Sequence, residues 1–576
     1  AGQRFRLPTW IPGSYLIREF ARQFTRVHAH DASGPVEIAK EAKDTWRAAP
    51  CPGPLTVIAE VYAYDLSVRT AYLDGDRGFF NGPSVFLCPA GLEAVACELE
   101  IVAPAGNDHL RWRVATAMPR RGAAPYGFGK YGAGNYDALI DHPVEMSDFT
   151  LASFEAGGAI HDIAISGRHR ADTDRLAADL QKVCAWQCDL FHGAPNGRAP
   201  FDRYVFLVAA VGEGYGGLEH RASTSLLCKR DELPLPGMTG ISADYRTFLG
   251  LASHEYFHSW NIKRIKPAAF TPYDLARENY TRQLWAFEGI TSYYDDLALV
   301  RSGVITIDDF LELLGRTMTT VLRGPGRAMQ SVADSSFDAW IKFYRQDENS
   351  PNAGVSYYAK GSLVALALDL TLRRHGTSLD ALMRALWRRH GNTGIGVPED
   401  GIARLAAEIA GVPLDDFFAR YVHGIEDLPL AELLEELGIA LHVRAAEGST
   451  DRGGKRGKDD GQGKPRVWIG AKLAAGSEPR LQHVYRGGPA ECAGLAAGDV
   501  LVAIDGLRAS EHALEKLCVQ HAPGDVIGVH AFRRDELRTL ACTLTAAPHD
   551  TCWLVLGPAV GDEVGARRAA WLGRAY

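Results

Sequence analysis

Cysteine is scarce in this chain, with ten residues in 576. That is too few for a disulfide-built scaffold, and none falls in a C-x-x-C pair. Cys184 and Cys188 are spaced i,i+4, but no second Cys or His pair stands near them, so they read as two half-buried thiols. Scattered free thiols favour a reducing compartment. The expectation is cytoplasmic, or periplasmic if a leader has been removed. Long apolar runs are also missing: Tyr204–Gly212 and Leu363–Leu372, the longest, fall well short of the ~18 residues a spanning helix needs. Positive charge is not in excess, since 62 Lys+Arg face 70 Asp+Glu and the net charge is −8. That balance argues against a nucleic-acid binder. No internal repeat occurs at a fixed period. The opening residues, Ala1-Gly2-Gln3-Arg4-Phe5, carry neither Met nor a leader pattern and read as the inside of a strand, so the natural chain is expected to begin earlier.

What is present is ordinary in bulk, with 46% hydrophobic and 23% charged residues. The length predicts three or four domains at roughly 150 residues each. Residues 1–155 are short alternating runs separated by turn clusters such as Pro12-Gly13-Ser14, which predicts an antiparallel β domain. From about 170 the period changes: Thr173–Leu190 has the recurrence of an amphipathic helix, Tyr204–Val211 reads as a buried strand, and helical segments follow to about 430. Thr306 is a plausible N-cap for the helix that follows it. Residues 447–465 (EGSTDRGGKRGKDDGQGKP) hold no large apolar side chain and are expected to be an unstructured insertion within 431–550. Residues 551–576 read as a C-terminal tail. The fold class expected is multidomain α+β.

The chemistry is carried by His254-Glu255-Tyr256-Phe257-His258, an H-E-x-x-H. On a helix, positions i and i+4 share one face, so two imidazoles can reach one cation. Zinc suits nitrogen ligands and leaves a position open. Glu255 can then take a proton from the attacking water. A third ligand should come from a neighbouring helix. Glu288 sits among Trp285, Phe287, Ile290 and Tyr293, where a carboxylate is costly unless paired or bound to metal. Asp295, two turns further on, could orient a ligand imidazole or simply be solvated.

H-E-x-x-H followed by W-x-x-E-G-x-T resembles the gluzincin metallopeptidases. The longer string His254–Pro267 (HEYFHSWNIKRIKP) is similar to the glycyl aminopeptidase family, gluzincins that carry a PDZ domain. Thr9–Phe20 (TWIPGSYLIREF) and Tyr136–Glu145 (YDALIDHPVE) resemble that family's opening β domain. The resemblance implies a thermolysin-like, mainly α catalytic domain over 156–430, one zinc ion, and a preference for N-terminal Gly or Ala. Tyr215 and Phe287 are only candidates for lining the pocket of the first side chain.

Gly216-Gly217-Leu218-Glu219-His220 resembles the G-x-M-E-N box of zinc aminopeptidases, with His220 in the Asn place. An edge strand with two glycines would let a substrate backbone lie alongside by β-pairing. Glu219 would then hold the free α-ammonium. Tyr357-Tyr358-Ala359-Lys360-Gly361 resembles the Y-E-K-G element, which makes Tyr358 the oxyanion donor and Tyr357 the fallback. Lys263 and Arg264 could neutralise nearby acids, but solvation at the surface is the favoured reading for either alone. Residues 487–506 (GGPAECAGLAAGDVLVAIDG) resemble a PDZ domain, placed over 431–550. Its carboxylate loop would be Trp468-Ile469-Gly470-Ala471, with one glycine where two are usual, so a module that captures peptide C-termini and one that is purely structural or dimerising are both open. The expected partners are peptides with a free N-terminus and a peptide or protein ligand at the PDZ domain, with no nucleic acid and no membrane span. Two rival functions stay open: a PDZ-guided zinc endopeptidase, and a non-catalytic peptide-binding protein with a structural zinc.

Overall fold

The computed structural model describes residues 2–106, 109–457, 465–510, 512–558 and 561–573. The chain forms two compact units, each assembled from separated stretches of sequence. The first comprises Ala1–Thr281, Tyr294–Ile305 and Asp380–Leu405. The second comprises Arg282–Tyr293, Thr306–Leu379 and Ala406–Tyr576.

The first unit opens with small antiparallel sheets. In one, Ile38–Ala42, Thr45–Ala48, Arg4–Arg6 and Cys88–Pro89 pair in that order. In another the order is Arg113–Ala115, Val144–Ser147, Arg77–Phe80 and Ala71–Leu73. The antiparallel N-terminal β domain is therefore present. Leu7, Ile11, Phe20, Trp46 and Val68 form one of its cores. A five-stranded mixed sheet follows, ordered Thr150–Ala156, Ala159–Ser166, Arg203–Val211, Ser223–Lys229 and Gly216–Glu219. Its first strand straddles the expected boundary at 155, because the strand pairs forward with Ala159–Ser166. The three central strands run parallel, and Gly216–Glu219 closes one edge antiparallel to Ser223–Lys229. Parallel strands are covered on both faces, which explains why Arg203–Val211 is almost continuously buried.

Two helices pack on this sheet. Asp172 caps Thr173–His192 by accepting from the Arg175 N–H, and Gly193 ends the helix at φ +84. Ser242 caps Ala243–Phe257 by accepting from the Tyr245 N–H at 3.1 Å. Phe248, Leu249, Ala252, Tyr256 and Phe257 of the second helix are fully buried. That face holds it against the edge strand and the helix Thr173–His192.

The second unit is mainly helical up to Glu435, and β-rich from Ile439. Thr306 caps Ile307–Arg323 reciprocally with Asp309. The strand His549–Leu556 pairs with Ile439–Ala445 and packs on that helix. Two expectations are corrected here. Residues 447–457 are held in place, because Asp451 bonds the Arg444 guanidinium at 2.5 Å and accepts from the Glu447 and Gly453 amides at 2.9 Å. Burial would push the Asp451 carboxyl up, but these donors hold it down at about 2. Gly454 also donates to the Cys552 carbonyl at 2.8 Å. Residues 458–464 of the expected insertion lie outside the described residues. The segment after 550 is likewise more than a tail, since it completes a strand and then forms the helix Asp562–Leu572. Trp571 on that helix is fully buried and donates to the Tyr293 hydroxyl at 2.8 Å, which in turn donates to buried Asp369 at 2.8 Å. Among the described residues, no helix is long and apolar enough to cross a membrane.

Candidate active site

His254 lies in the last turn of Ala243–Phe257, half-buried between buried Ser253 and Glu255, and His258 is the residue that caps the helix. Their Nε2 atoms face each other at 3.0 Å. The other ring nitrogens are anchored. His258 Nδ1 lies 2.9 Å from the Asn261 carbonyl, and His254 Nδ1 lies 3.1 Å from Asp295 Oδ2. A carbonyl can only accept, so His258 carries its proton on Nδ1 and presents a lone pair at Nε2. The carboxylate of Asp295 fixes His254 the same way. Two lone pairs converging at this distance repel unless a cation or proton sits between them. Of the two readings open for Asp295, the structure favours the one that orients His254. Burial raises the Asp295 carboxyl, against the pull of His254, and lifts its neighbour Asp296 well above the usual carboxylate range.

Glu255 points from the same helix toward the edge strand and is 5% exposed. A Cβ on Gly217 would collide with its Oε1. Glu219, at the end of that strand, is 3% exposed and rests on the N-terminal β domain. Gly13, at φ +96, is where it rests: any side chain there would strike the Glu219 carboxylate. Glu219, Glu255 and His258 each offer a ligand atom, and these atoms lie within 4.8 Å of one another. Two buried carboxylates so close to an imidazole form a donor set that a metal ion or an ammonium could engage.

The glycine pair is thus unequal. Gly217 is demanded by Glu255, whereas a Cβ on Gly216 would make only ordinary contact with Arg69 and Val68 at 3.8 Å. Replacing Gly217 with Ala is expected to push Glu255 aside. Turnover should fall about tenfold or more with the thermal midpoint nearly unchanged, measured by a steady-state assay beside a calorimetric melt.

Lys263 and Arg264 depart from the surface reading. Lys263 is 2% exposed and pairs with Asp141 at 2.8 Å. Arg264 donates to the carbonyls of Arg221, Ser259 and Pro200 and lies over the Phe201 ring. His220 is fully buried, and that burial pushes its imidazole down to about 4, so it is neutral there. Tyr215, just before the edge strand, is 59% exposed.

In the second unit, Glu288 is buried and accepts at its carbonyl from Ser292 N–H, opening the helix Gly289–Arg301. Phe287 is buried beside it. The W-x-x-E-G-x-T and Y-Y-A-K-G segments dock through their glycines, since a Cβ on Gly289 would come within 2.6 Å of Gly361 Cα. Tyr358 stacks on Tyr357 at 4.7 Å, and its hydroxyl lies 3.1 Å from that of Tyr344. Tyr357 is fully buried, and burial first, then Tyr344 and Glu288, raises its phenol well above the ordinary value.

A family model described as M61 glycyl aminopeptidase matches residues 247–364, and one described as the peptidase M61 N-terminal domain matches residues 1–148. The crystal structure of an aminopeptidase N family protein from Idiomarina loihiensis is 43% identical with a TM-score of 0.93, covering 99% of this chain and 95% of its own. Much more distant are an M1 zinc metallopeptidase from Deinococcus radiodurans (12% identity, TM-score 0.46, 75% of this chain and 88% of its own) and yeast LTA4 hydrolase (14%, 0.44, 76% and 65%). No curated protein matches. The chain belongs to the M61 glycyl aminopeptidase family and is a peptidase.

Proposed function

We propose that the protein is a zinc aminopeptidase that releases small N-terminal residues, Gly and Ala foremost, from peptides. The observation that carries this is the pair of facing Nε2 atoms on His254 and His258, each imidazole fixed through Nδ1, beside buried Glu255. That donor set fits zinc, which takes neutral imidazoles whose second nitrogen is held by a carbonyl or carboxylate. Glu288 is the third ligand in this reading. It stands seven residues before Asp295 at the start of one helix, two turns away and therefore on the same face.

When bound, zinc polarises the scissile carbonyl and lowers the pKa of water. Glu255 takes the proton of the attacking water and passes it to the leaving amine. Tyr358 donates its hydroxyl to the oxygen of the tetrahedral centre. Glu219 accepts from the α-ammonium, and the edge strand Gly216–Glu219 pairs with the peptide backbone. The shallow pocket implied for Gly and Ala rests on the family.

A PDZ domain over 431–550 is part of the same proposal. Its support is the short helix Pro489–Cys492 before the strand Val500–Ile504, around a core of Val467, Leu481, Leu501, Ile527 and Val529. In its loop, Gly470 adopts φ +75, and a Cβ there would lie 2.9 Å from Gly488 Cα.

Free and N-acetylated peptides of one sequence test the function. Free peptides should be cut at the first bond and capped ones left intact, read by mass spectrometry with and without a chelator. Equal cleavage of capped peptides would mean an endopeptidase. No cleavage of either, with zinc bound, would mean a binding protein.

A further inference from the structure

Asp141 ends the short helix Tyr136–Ile140 of the N-terminal β domain and is 8% exposed. Three neighbours converge on its carboxylate. Lys263 Nζ lies 2.8 Å from Oδ1, and His220 Nδ1 lies 3.4 Å from the same oxygen. The Arg221 backbone N–H donates to Oδ2 at 3.0 Å, and its guanidinium lies 3.4 Å away. Burial alone would raise this carboxyl, but Lys263, Arg221 and His220 hold it well below the usual range. It is therefore a fixed anion.

The positions of the three neighbours are informative. His220 and Arg221 directly follow Glu219 and end its strand. Lys263 lies in the turn that leaves the H-E-x-x-H helix. In that turn Ile262 has φ +86, which a β-branched residue avoids. Such a conformation persists only where its surroundings over-determine it. Here Ile262 N–H donates to the Ile265 carbonyl at 2.8 Å, and Lys263 N–H to the His258 carbonyl at 3.2 Å. The strained residue stands between Asn261, whose carbonyl faces His258 Nδ1, and Lys263, which Asp141 holds.

We propose that Asp141 is a positioning residue for two parts of the site at once. Through Lys263 it holds the turn that aims the Asn261 carbonyl at His258, and through His220 and Arg221 it holds the strand end that aims Glu219. One carboxylate from the N-terminal β domain thus sets a metal ligand and the anchor of the substrate's amino group. This rests on the zinc aminopeptidase reading given above.

The rival account is a buried ion pair that only braces the fold. Two full-length variants separate the accounts: Asp141→Asn, which keeps the shape, and the double variant Asp141→Leu/Lys263→Met, which replaces the pair with apolar groups of similar size and leaves no lone buried charge. Three quantities are read for each: the zinc dissociation constant by competition with a chromogenic chelator, KM and kcat on free peptides, and the thermal midpoint. Both variants should melt cooperatively, bind zinc about tenfold more weakly and show a KM about tenfold higher, the scale of effect seen when a ligand's supporting partner is lost. Unchanged zinc affinity and KM, whatever the melting temperature does, would overturn the proposal. So would failure of both variants to fold, since the cluster would then be scaffold. A wild-type protein that takes up no zinc in the same titration would instead refute the proposed function.

Discussion

Glu255→Gln should abolish hydrolysis while leaving the fold and zinc binding in place. Gln has the shape of Glu, which matters because Glu255 is packed against Gly217 with no room for a Cβ between them. What the substitution removes is the ability to accept a proton. General base and acid catalysis together contribute about 10²–10⁴-fold, and here one carboxylate is assigned both roles. Turnover of Gly- and Ala-anilides should therefore fall by about 10³-fold or more. Zinc content, measured by atomic absorption after gel filtration, should match wild type, because Glu255 is not a ligand in this reading. Retained activity would falsify the general-base assignment.

Glu219→Ala is expected to act on a different quantity. Its carboxylate is buried, packed against Gly13, and assigned in the proposed reading to the substrate's ammonium. Truncating one partner of a buried charge pair costs about 2–5 kcal/mol. At 1.4 kcal/mol per tenfold, kcat/KM on free peptides should drop by roughly 30- to several-thousand-fold. The loss should be specific to free amino termini, so the ratio of free to acetyl-capped cleavage should collapse toward one. Competition between the two substrates in one reaction, followed by mass spectrometry, measures that ratio directly. A variant that is slower yet keeps the wild-type ratio would show that Glu219 does not read the terminus.

Local signals account for what was legible in the sequence. The H-E-x-x-H helix has its own period, the antiparallel β domain its own alternation, and the edge strand its two glycines. Each of these depends on residues close together in sequence. What escaped depends on distant pairing. Lys263 sits in a polar string that reads as surface, and only its pairing with Asp141, more than a hundred residues earlier, buries it. Gly13 looks like ordinary turn punctuation until Glu219 is set on top of it. Residues 447–457 lack apolar side chains and so looked unstructured, but hydrogen bonds from Arg444 and the backbone around Asp451 hold them without an apolar core. Asp295 lay between cases: its two-turn spacing from Glu288 was visible, whereas its partner His254 was not. The strain at Ile262 left no trace in composition at all.

The bond between Trp571 and Tyr293 has a consequence for timing. The two residues are 278 positions apart in sequence, and Tyr293 lies in the first turns of the helix that Glu288 opens. During synthesis the H-E-x-x-H segment emerges early, but the indole that closes over Tyr293 does not yet exist. The packing of the helix that Glu288 opens, the third ligand in the proposed reading, is therefore complete only once residue 571 has been made.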